Sequence, residues 1–243
     1  MGADVTGDPE PVHEPVPAVL LCGGRGTRLS GADAPSAVRD AEKPMLPIAG
    51  EPMVARVLDA LLAAERVGVV HAVTSPHTPA TAGFLEDRAT AARSDEEGSR
   101  PVRVIEGSGE GYVADLDAAI SRVGTPAVTV AADLPLLAPA DVDDAVAHAA
   151  GDSLAVCVPA ALKRSLGVSA DTTFSAADAG SGEGEVMDGA GDDRELAPTG
   201  LNVVGEGDDR LRVREDAAGR RLAVNVNRPR DAAVADRLLS EGE

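Results

Sequence analysis

Tryptophan is absent from this 243-residue chain, tyrosine occurs once (Tyr112) and phenylalanine twice (Phe84, Phe174). Because 44% of the residues are still apolar, the core has to be assembled from Ala, Val and Leu. No stretch approaches the ~20 continuous apolar residues of a bilayer-spanning helix, which argues against a membrane span. The start shows no basic segment followed by an apolar one, so no signal peptide is read and a cytoplasmic protein is expected. Cysteine occurs only as Cys22 and Cys157, far apart and each inside an apolar run, the pattern of small buried hydrophobes and not of a disulfide framework. Four scattered histidines make no zinc pattern. Positive charge is also scarce: 22 basic residues face 41 acidic ones, a net charge of −19, and only Lys43 and Lys163 are lysines. Such a surface repels polyanions, which excludes nucleic acid and anionic lipid as natural partners. It is also the balance of a protein kept soluble by self-repulsion in strong salt, so a halophilic setting is expected; an acidic interaction surface is the other reading.

What is present alternates. Short Val-rich runs at 17–22, 67–74, 101–106, 126–133 and 153–159 read as buried strands, and Ala/Leu-rich stretches at 53–65, 80–93, 112–123 and 139–150 read as helices. Further strands are expected at 200–205, 210–216 and 220–227, and a last helix at 228–240. Alternation of this kind predicts an α/β fold, a Rossmann-like, mostly parallel sheet with helices on both faces. The length suits a single domain over 16–243, preceded by an acidic, Pro-rich tail at 1–15. Two segments break the rhythm: polar residues 31–42, and a Gly/Asp/Glu-rich stretch at 175–195 expected to be a mobile acidic loop.

In a parallel sheet, ligands bind beyond the carboxyl ends of the strands. After the first run comes Gly23-Gly24-Arg25-Gly26-Thr27-Arg28. Glycines let backbone N–H groups approach phosphate oxygens, and the arginines add charge-assisted bonds; a plain turn is the alternative. The spacing is neither that of the dinucleotide fingerprint nor that of the P-loop. Lys43, in "EKPMLPIAGEPM", is a compact point charge suited to a phosphoryl group, or else an ordinary surface lysine. Asp133, in "ADLPLL" where the fourth run ends, is placed to hold Mg²⁺ or to cap a turn.

These three stretches in this order resemble the signature of the nucleotidyltransferase superfamily, which includes the molybdenum-cofactor guanylyltransferases and the sugar-nucleotide pyrophosphorylases. The resemblance implies an NTP cradle at Leu21, Cys22, Gly23, Gly24, Arg25, Gly26 and Thr27, catalytic roles for Arg28, Lys43 and Asp133, and Mg²⁺ at Asp133. Shorter stretches, "TSPHTPAT", "SGEGYVADLDAAI", "LNVVG" and "VNVNRPRDAAVADRLL", are similar to the archaeal guanylyltransferases that join GTP to adenosylcobinamide phosphate in cobalamin assembly. GTP and that corrinoid phosphate are thus the implied partners, and a homodimer is one option for the assembly. By the same resemblance Ser75, His77 and Thr78 contact the base, though a helix-entry turn would use the same residues. Gly109, Gly111, Tyr112 and Asp115 contact base or ribose, or cap a helix. Asn225 and Asn227 lie near metal or acceptor, or cap the last helix. Residues 31–42 read as an insertion, because the spacing from Arg28 to Lys43 is longer than in such enzymes.

Overall fold

The computed structural model describes residues 14–24, 26, 29, 41–94, 100–179, 186–187 and 194–241. The expected tail at 1–15 and insertion at 31–42 fall almost wholly outside these residues. In chain order the elements are β1 (Val16–Leu21), a single 3-10 turn (Lys43–Met45), a small hairpin of β2 (Pro47–Ile48) and β3 (Glu51–Pro52), α1 (Met53–Ala63), β4 (Val67–Thr74), α2 (Pro79–Ser94), β5 (Val102–Glu106), α3 (Tyr112–Val123), β6 (Ala127–Ala131), α4 (Pro139–Ala149), β7 (Ser153–Pro159), α5 (Ala160–Leu166), β8 (Phe174–Ser175), α6 (Ala176–Ala179), β9 (Val186–Met187), β10 (Glu195–Val204), β11 (Asp209–Val213), α7 (Ala217–Leu222) and α8 (Pro229–Glu241).

The Val-rich runs become strands because β-branched side chains suit a pleated surface buried on both sides. They pair in the order β5-β4-β1-β6-β10-β7-β11-β9, with β8 on β10. The pairs β1–β4, β1–β6, β4–β5, β7–β11 and β11–β9 are parallel, and β10 runs antiparallel to β6, β7 and β8. The sheet is therefore mostly parallel, as the alternation predicts. Side chains of β1 alternate between faces: Ala18 and Leu20 pack with α1 and α4, whereas Val19 and Leu21 pack under Ala119, Leu116 and Ile120 of α3. Fully buried leucines such as Leu20, Leu58 and Leu61 each contribute about 1.5–3 kcal/mol by leaving water, which is how a core without tryptophan is sustained. Among the described residues no helix is long and apolar enough to cross a membrane.

The carboxyl ends of β1, β4, β5 and β6 lie level on one edge. The ladder continues one step past them, with Cys22 N donating to Val73 O, Ala132 N to Leu21 O and Gly107 N to Thr74 O. All phosphate, metal and base candidates on the first four strands therefore emerge on this edge.

One expected strand is not a strand. Residues 217–222 form α7, capped by the Asp216 side chain, which accepts from Gly219 N, and 223–227 turn off its end and run as a strap outside the sheet. The alternation of Val and Asn is real, since Val224 and Val226 are fully buried against Leu46, Ile48 and Ala235. But both edges of β6, the nearest strand, are already taken by β1 and β10, so Val226 N bonds Asp133 O beyond the strand end instead. Helix α5 was not foreseen. The expected strand at 200–205 starts at Glu195, because Leu196 and Ala197 also pair with β7 across a bulge at 199–201. There Gly200 has φ +93, and a Cβ on it would meet Ala131 Cβ at 3.2 Å. Within 175–195, the described residues hold α6, β9 and the ends of β8 and β10.

Candidate active site

A cavity of about 380 Å³ opens on the carboxyl edge. Its walls bring together Leu21, Cys22, Gly23 and Gly24 after β1, Lys43 and Pro44, Gly109, Gly111, Tyr112 and Asp115, and Ala131 to Asp133 after β6. Arg25, Thr27 and Arg28 lie outside the described residues. Cys22 is 1% exposed and both thiols are free; burial pushes the Cys157 thiol up to about 12 and that of Cys22 higher still.

In the turn after β1, Gly23 and Gly26 are close-packed, whereas a Cβ on Gly24 would meet open space. A Cβ on Gly23 would sit 3.3 Å from Asp115 Oδ2 and 3.4 Å from Ser75 Cβ, so the first turn is wedged between β4 and α3. Gly26 has φ +62, and a Cβ there would come within 2.9 Å of Lys43 Cβ. The glycine turn thus packs directly on the lysine. Asp115, 5% exposed, folds the second glycine turn from behind: its Oδ1 accepts Ser108 N at 2.6 Å, Ser108 Oγ at 2.8 Å and Gly109 N at 3.3 Å. Gly107, not singled out from the sequence, is packed more tightly than Gly23, Gly26 or Gly109. A Cβ there would lie 2.7 Å from Thr74 O and 2.8 Å from Asp115 Cγ.

Ser75 and Thr78 are buried and satisfy one another. Thr78 Oγ1 accepts Ser75 N at 3.0 Å, Thr78 N donates to Ser75 O at 2.9 Å, and Ser75 Oγ donates to Gly23 O at 3.3 Å. Together they lock the β4–α2 turn to the glycine turn after β1. His77 is exposed at the rim, where a Cβ on Gly109 would meet its ring at 3.4 Å.

Lys43 reaches the edge of β6. Its Nζ donates to Asp133 Oδ2 at 2.7 Å and to Asn227 Oδ1 at 2.8 Å, with the Lys43 and Asp133 side chains 14% and 17% exposed. What holds Lys43 there is its neighbour Glu42. The Glu42 carboxylate accepts Ala80 N and Thr81 N at 2.7 Å each and Thr81 Oγ1 at 2.6 Å. A carboxylate at a helix start satisfies orphan N–H groups and the helix dipole together, so α2 anchors the turn that carries Lys43. Asp133 Oδ1 is buried and has no hydrogen-bond partner among the described residues. Leaving such an oxygen unpaired is unfavourable, and it marks the atom where a cation fits.

The strap 223–227 closes the site from the β10 side. Asn225 is 8% exposed; its Oδ1 accepts Lys163 Nζ at 2.7 Å and its Nδ2 donates to Thr199 O. Lys163 also donates to Ala223 O at 2.6 Å. Burial pushes the Lys163 ammonium down to about 8, against the pull of Asp133, Asp231 and Asp171. The fully buried Asp231 accepts Asn227 N at 3.0 Å, Arg228 N at 2.8 Å and Ser169 N at 2.8 Å. Sequence reasoning missed Glu42, Lys163 and Asp231 as site-forming residues. The rarity of lysine was the available signal for Lys163, and an Asp three residues after Arg228 at a helix start was the signal for Asp231. Among the described residues, no group of three His, Cys, Asp or Glu side chains could hold a metal.

Residues 18–188 match the MobA-like NTP transferase domain. Among curated proteins, adenosylcobinamide-phosphate guanylyltransferase of Methanocaldococcus jannaschii is 30% identical over 117 residues, which cover 48% of this chain and 51% of that protein. The chain thus spans about half the length of this relative. Among solved structures, CMP:2-keto-3-deoxy-manno-octonic acid synthetase complexed with CTP superposes with a TM-score of 0.59 over 95% of this chain and 100% of the other, at 12% identity. That likeness bears on the fold alone.

Proposed function

The chain belongs to the MobA-like NTP transferase family, and from that premise we propose that it transfers GMP from GTP to adenosylcobinamide phosphate, releasing pyrophosphate. The observation that carries the reading is the meeting of Lys43, Asp133 and Asn227 beside two glycine turns on one cavity. The choice of guanine and of a corrinoid acceptor rests on the partial likeness to the M. jannaschii enzyme.

In this reading the acceptor phosphate attacks the α-phosphorus of GTP. A P–O bond forms, the bond to the bridging oxygen breaks, and its electron pair leaves with pyrophosphate. The acceptor is already an anion, so positioning and charge neutralisation suffice, and no strong general base is required. The glycine turn after β1 would present backbone N–H groups to the triphosphate. Lys43, anchored by Glu42, places its ammonium against the charge that gathers on the α-phosphoryl oxygens. Asp133 Oδ1, buried and without a hydrogen-bond partner among the described residues, fits a divalent cation, which takes one or two carboxylates plus phosphate oxygens. Asp133 would hold Mg²⁺, whose chemistry is to neutralise the leaving pyrophosphate, and Asn227, its carbonyl taken by Lys43, orients the lysine beside it. Asn225, with its carbonyl taken by Lys163, supports the strap behind them.

The test is pyrophosphate release from GTP with Mg²⁺ in molar salt, offering adenosylcobinamide phosphate and molybdopterin in turn. Release with the corrinoid alone is expected. Release only with molybdopterin overturns the acceptor assignment; tight GTP binding with silence for every acceptor makes the protein a nucleotide-binding module instead.

A further inference from the structure

The chain uses twenty arginines and two lysines, and each of those lysines bonds the strap 223–227. Lys43 holds Asn227 from the cavity side. Lys163, 4% exposed on α5, holds the strap from the protein interior, at Ala223 O and Asn225 Oδ1. An arginine has no short head to place between a backbone carbonyl and an amide oxygen in so closed a space, whereas an ammonium directs three donors from one atom.

We propose that Lys163 is a positioning residue for the transfer site: its buried ammonium fixes the Asn225 amide and the strap, and thereby sets where Asn227 meets Lys43 and where the Asp133 backbone lies. The proposal rests on the nucleotidyl-transfer reading above. The chain of contacts is continuous. With its Oδ1 accepting from Lys163, Asn225 turns its Nδ2 toward Thr199 O. Thr199 is itself locked in the β10 bulge, donating to Val156 O at 2.8 Å and accepting Leu201 N at 3.1 Å. One residue beyond Asn225, Val226 N bonds Asp133 O at 2.9 Å. One further, Asn227 Oδ1 accepts Lys43 Nζ, and its backbone N–H is held by Asp231. The side chains of Asn225 and Asn227 thus make polar contacts, while those of Val224 and Val226 fill the core beneath α8. Without Lys163, Ala223 O and Asn225 Oδ1 lose their ammonium donor, and the Asn225 side chain is left with its bond to Thr199 O.

The experiment compares wild type, Lys163→Met, Asn225→Ala and the double variant by steady-state pyrophosphate release, with folding checked by circular dichroism. Lys163→Met should lower kcat by roughly 30-fold or more while KM for GTP stays within about threefold, because the strap meets the reacting groups and not the glycine turns. Asn225→Ala should show the same split, and the double variant should be little worse than either single one, because the two side chains act as one unit. A folded Lys163→Met with wild-type kcat overturns the proposal, as does a multiplicative loss in the double variant. If Lys163→Met does not fold, Asn225→Ala decides: normal turnover overturns the proposal and the kcat loss at unchanged KM supports it. Silence of the wild type with every acceptor would sink the transfer reading and this inference together, whereas an active wild type matched by equally active variants would sink this inference alone.

Discussion

Replacing Lys43 by methionine removes the ammonium while keeping most of the side-chain volume, and it strands Asp133. The two charges are 2.7 Å apart and about one-sixth exposed. At an effective dielectric of about 20 their attraction is on the order of 6 kcal/mol before desolvation is counted. Removing one partner of a buried pair costs about 3–5 kcal/mol; residual exposure lowers this to roughly 2–4 kcal/mol. In a domain of this size that corresponds to a fall in Tm of about 5–15 °C. Neutralising the stranded carboxylate in Lys43→Met/Asp133→Asn should restore most of that loss. Activity should behave differently. A preorganised charge aimed at the transition state is worth about 10²–10³ in kcat, and the glycine turn proposed to take the triphosphate is untouched. Lys43→Met should therefore lose about that much kcat with KM for GTP within roughly threefold, and the double variant should regain stability but no turnover. The measurements are differential scanning calorimetry and pyrophosphate release on the same preparations. A rise in KM at unchanged kcat would show that Lys43 serves ground-state binding. A double variant no more stable than Lys43→Met would show that the ion pair does not account for the destabilisation.

Glu42→Gln weakens the anchor of α2 and should lose about 1–2 kcal/mol in urea denaturation, with a kcat loss of roughly tenfold through Lys43; wild-type values for both would remove Glu42 from the site. Gly107→Ala forces a methyl against Thr74 O and the Asp115 carboxylate and should lose about 1–3 kcal/mol while weakening GTP binding, measured by calorimetric titration; a variant as stable as wild type refutes the steric argument. Both thiols are held above their ordinary range by burial, Cys157 at about 12, so neither should react with a thiol reagent at pH 8 until denaturant is added, and fast native-state labelling would contradict their placement. The hydrogen bond from Arg214 pulls Asp216 down to about 2 from 3.8. A carboxylate with a lowered folded pKa contributes stability above its unfolded value and loses it as pH falls toward the folded one. Urea midpoints between pH 4 and 2 should therefore fall less steeply for Asp216→Asn than for wild type, and parallel slopes would refute the assignment.

The alternation of Val-rich and Ala-rich runs was enough to locate β4, β7 and α3 to the residue, because a strand buried on both faces leaves a short unbroken apolar signature. Periodicity could not tell that 220–227 lacks a strand to pair with. Val and Asn alternate there as they would in a sheet, and only the occupied edges of β6 decide otherwise. Helix α5 is seven residues long, too short for a periodic pattern to declare itself. At the site, glycine spacing and the isolated positions of Lys43 and Asp133 led to one cavity from segments 90 residues apart. What the sequence concealed were the supporting contacts. Glu42 reaches α2 across 38 positions, and Lys163 meets Asn225 across 62. Such pairs leave no local trace, because what brings them together is the path of the backbone.

The scarcity of aromatic side chains has a practical consequence at the cavity. Tyr112 is the sole tyrosine in a chain without tryptophan; it is 48% exposed and lies on the cavity wall at the start of α3. Its emission is therefore a single-site optical probe of that opening, built in without labelling. Quenching or shielding on addition of a ligand that does not itself absorb, such as pyrophosphate, would track occupancy of this one place directly.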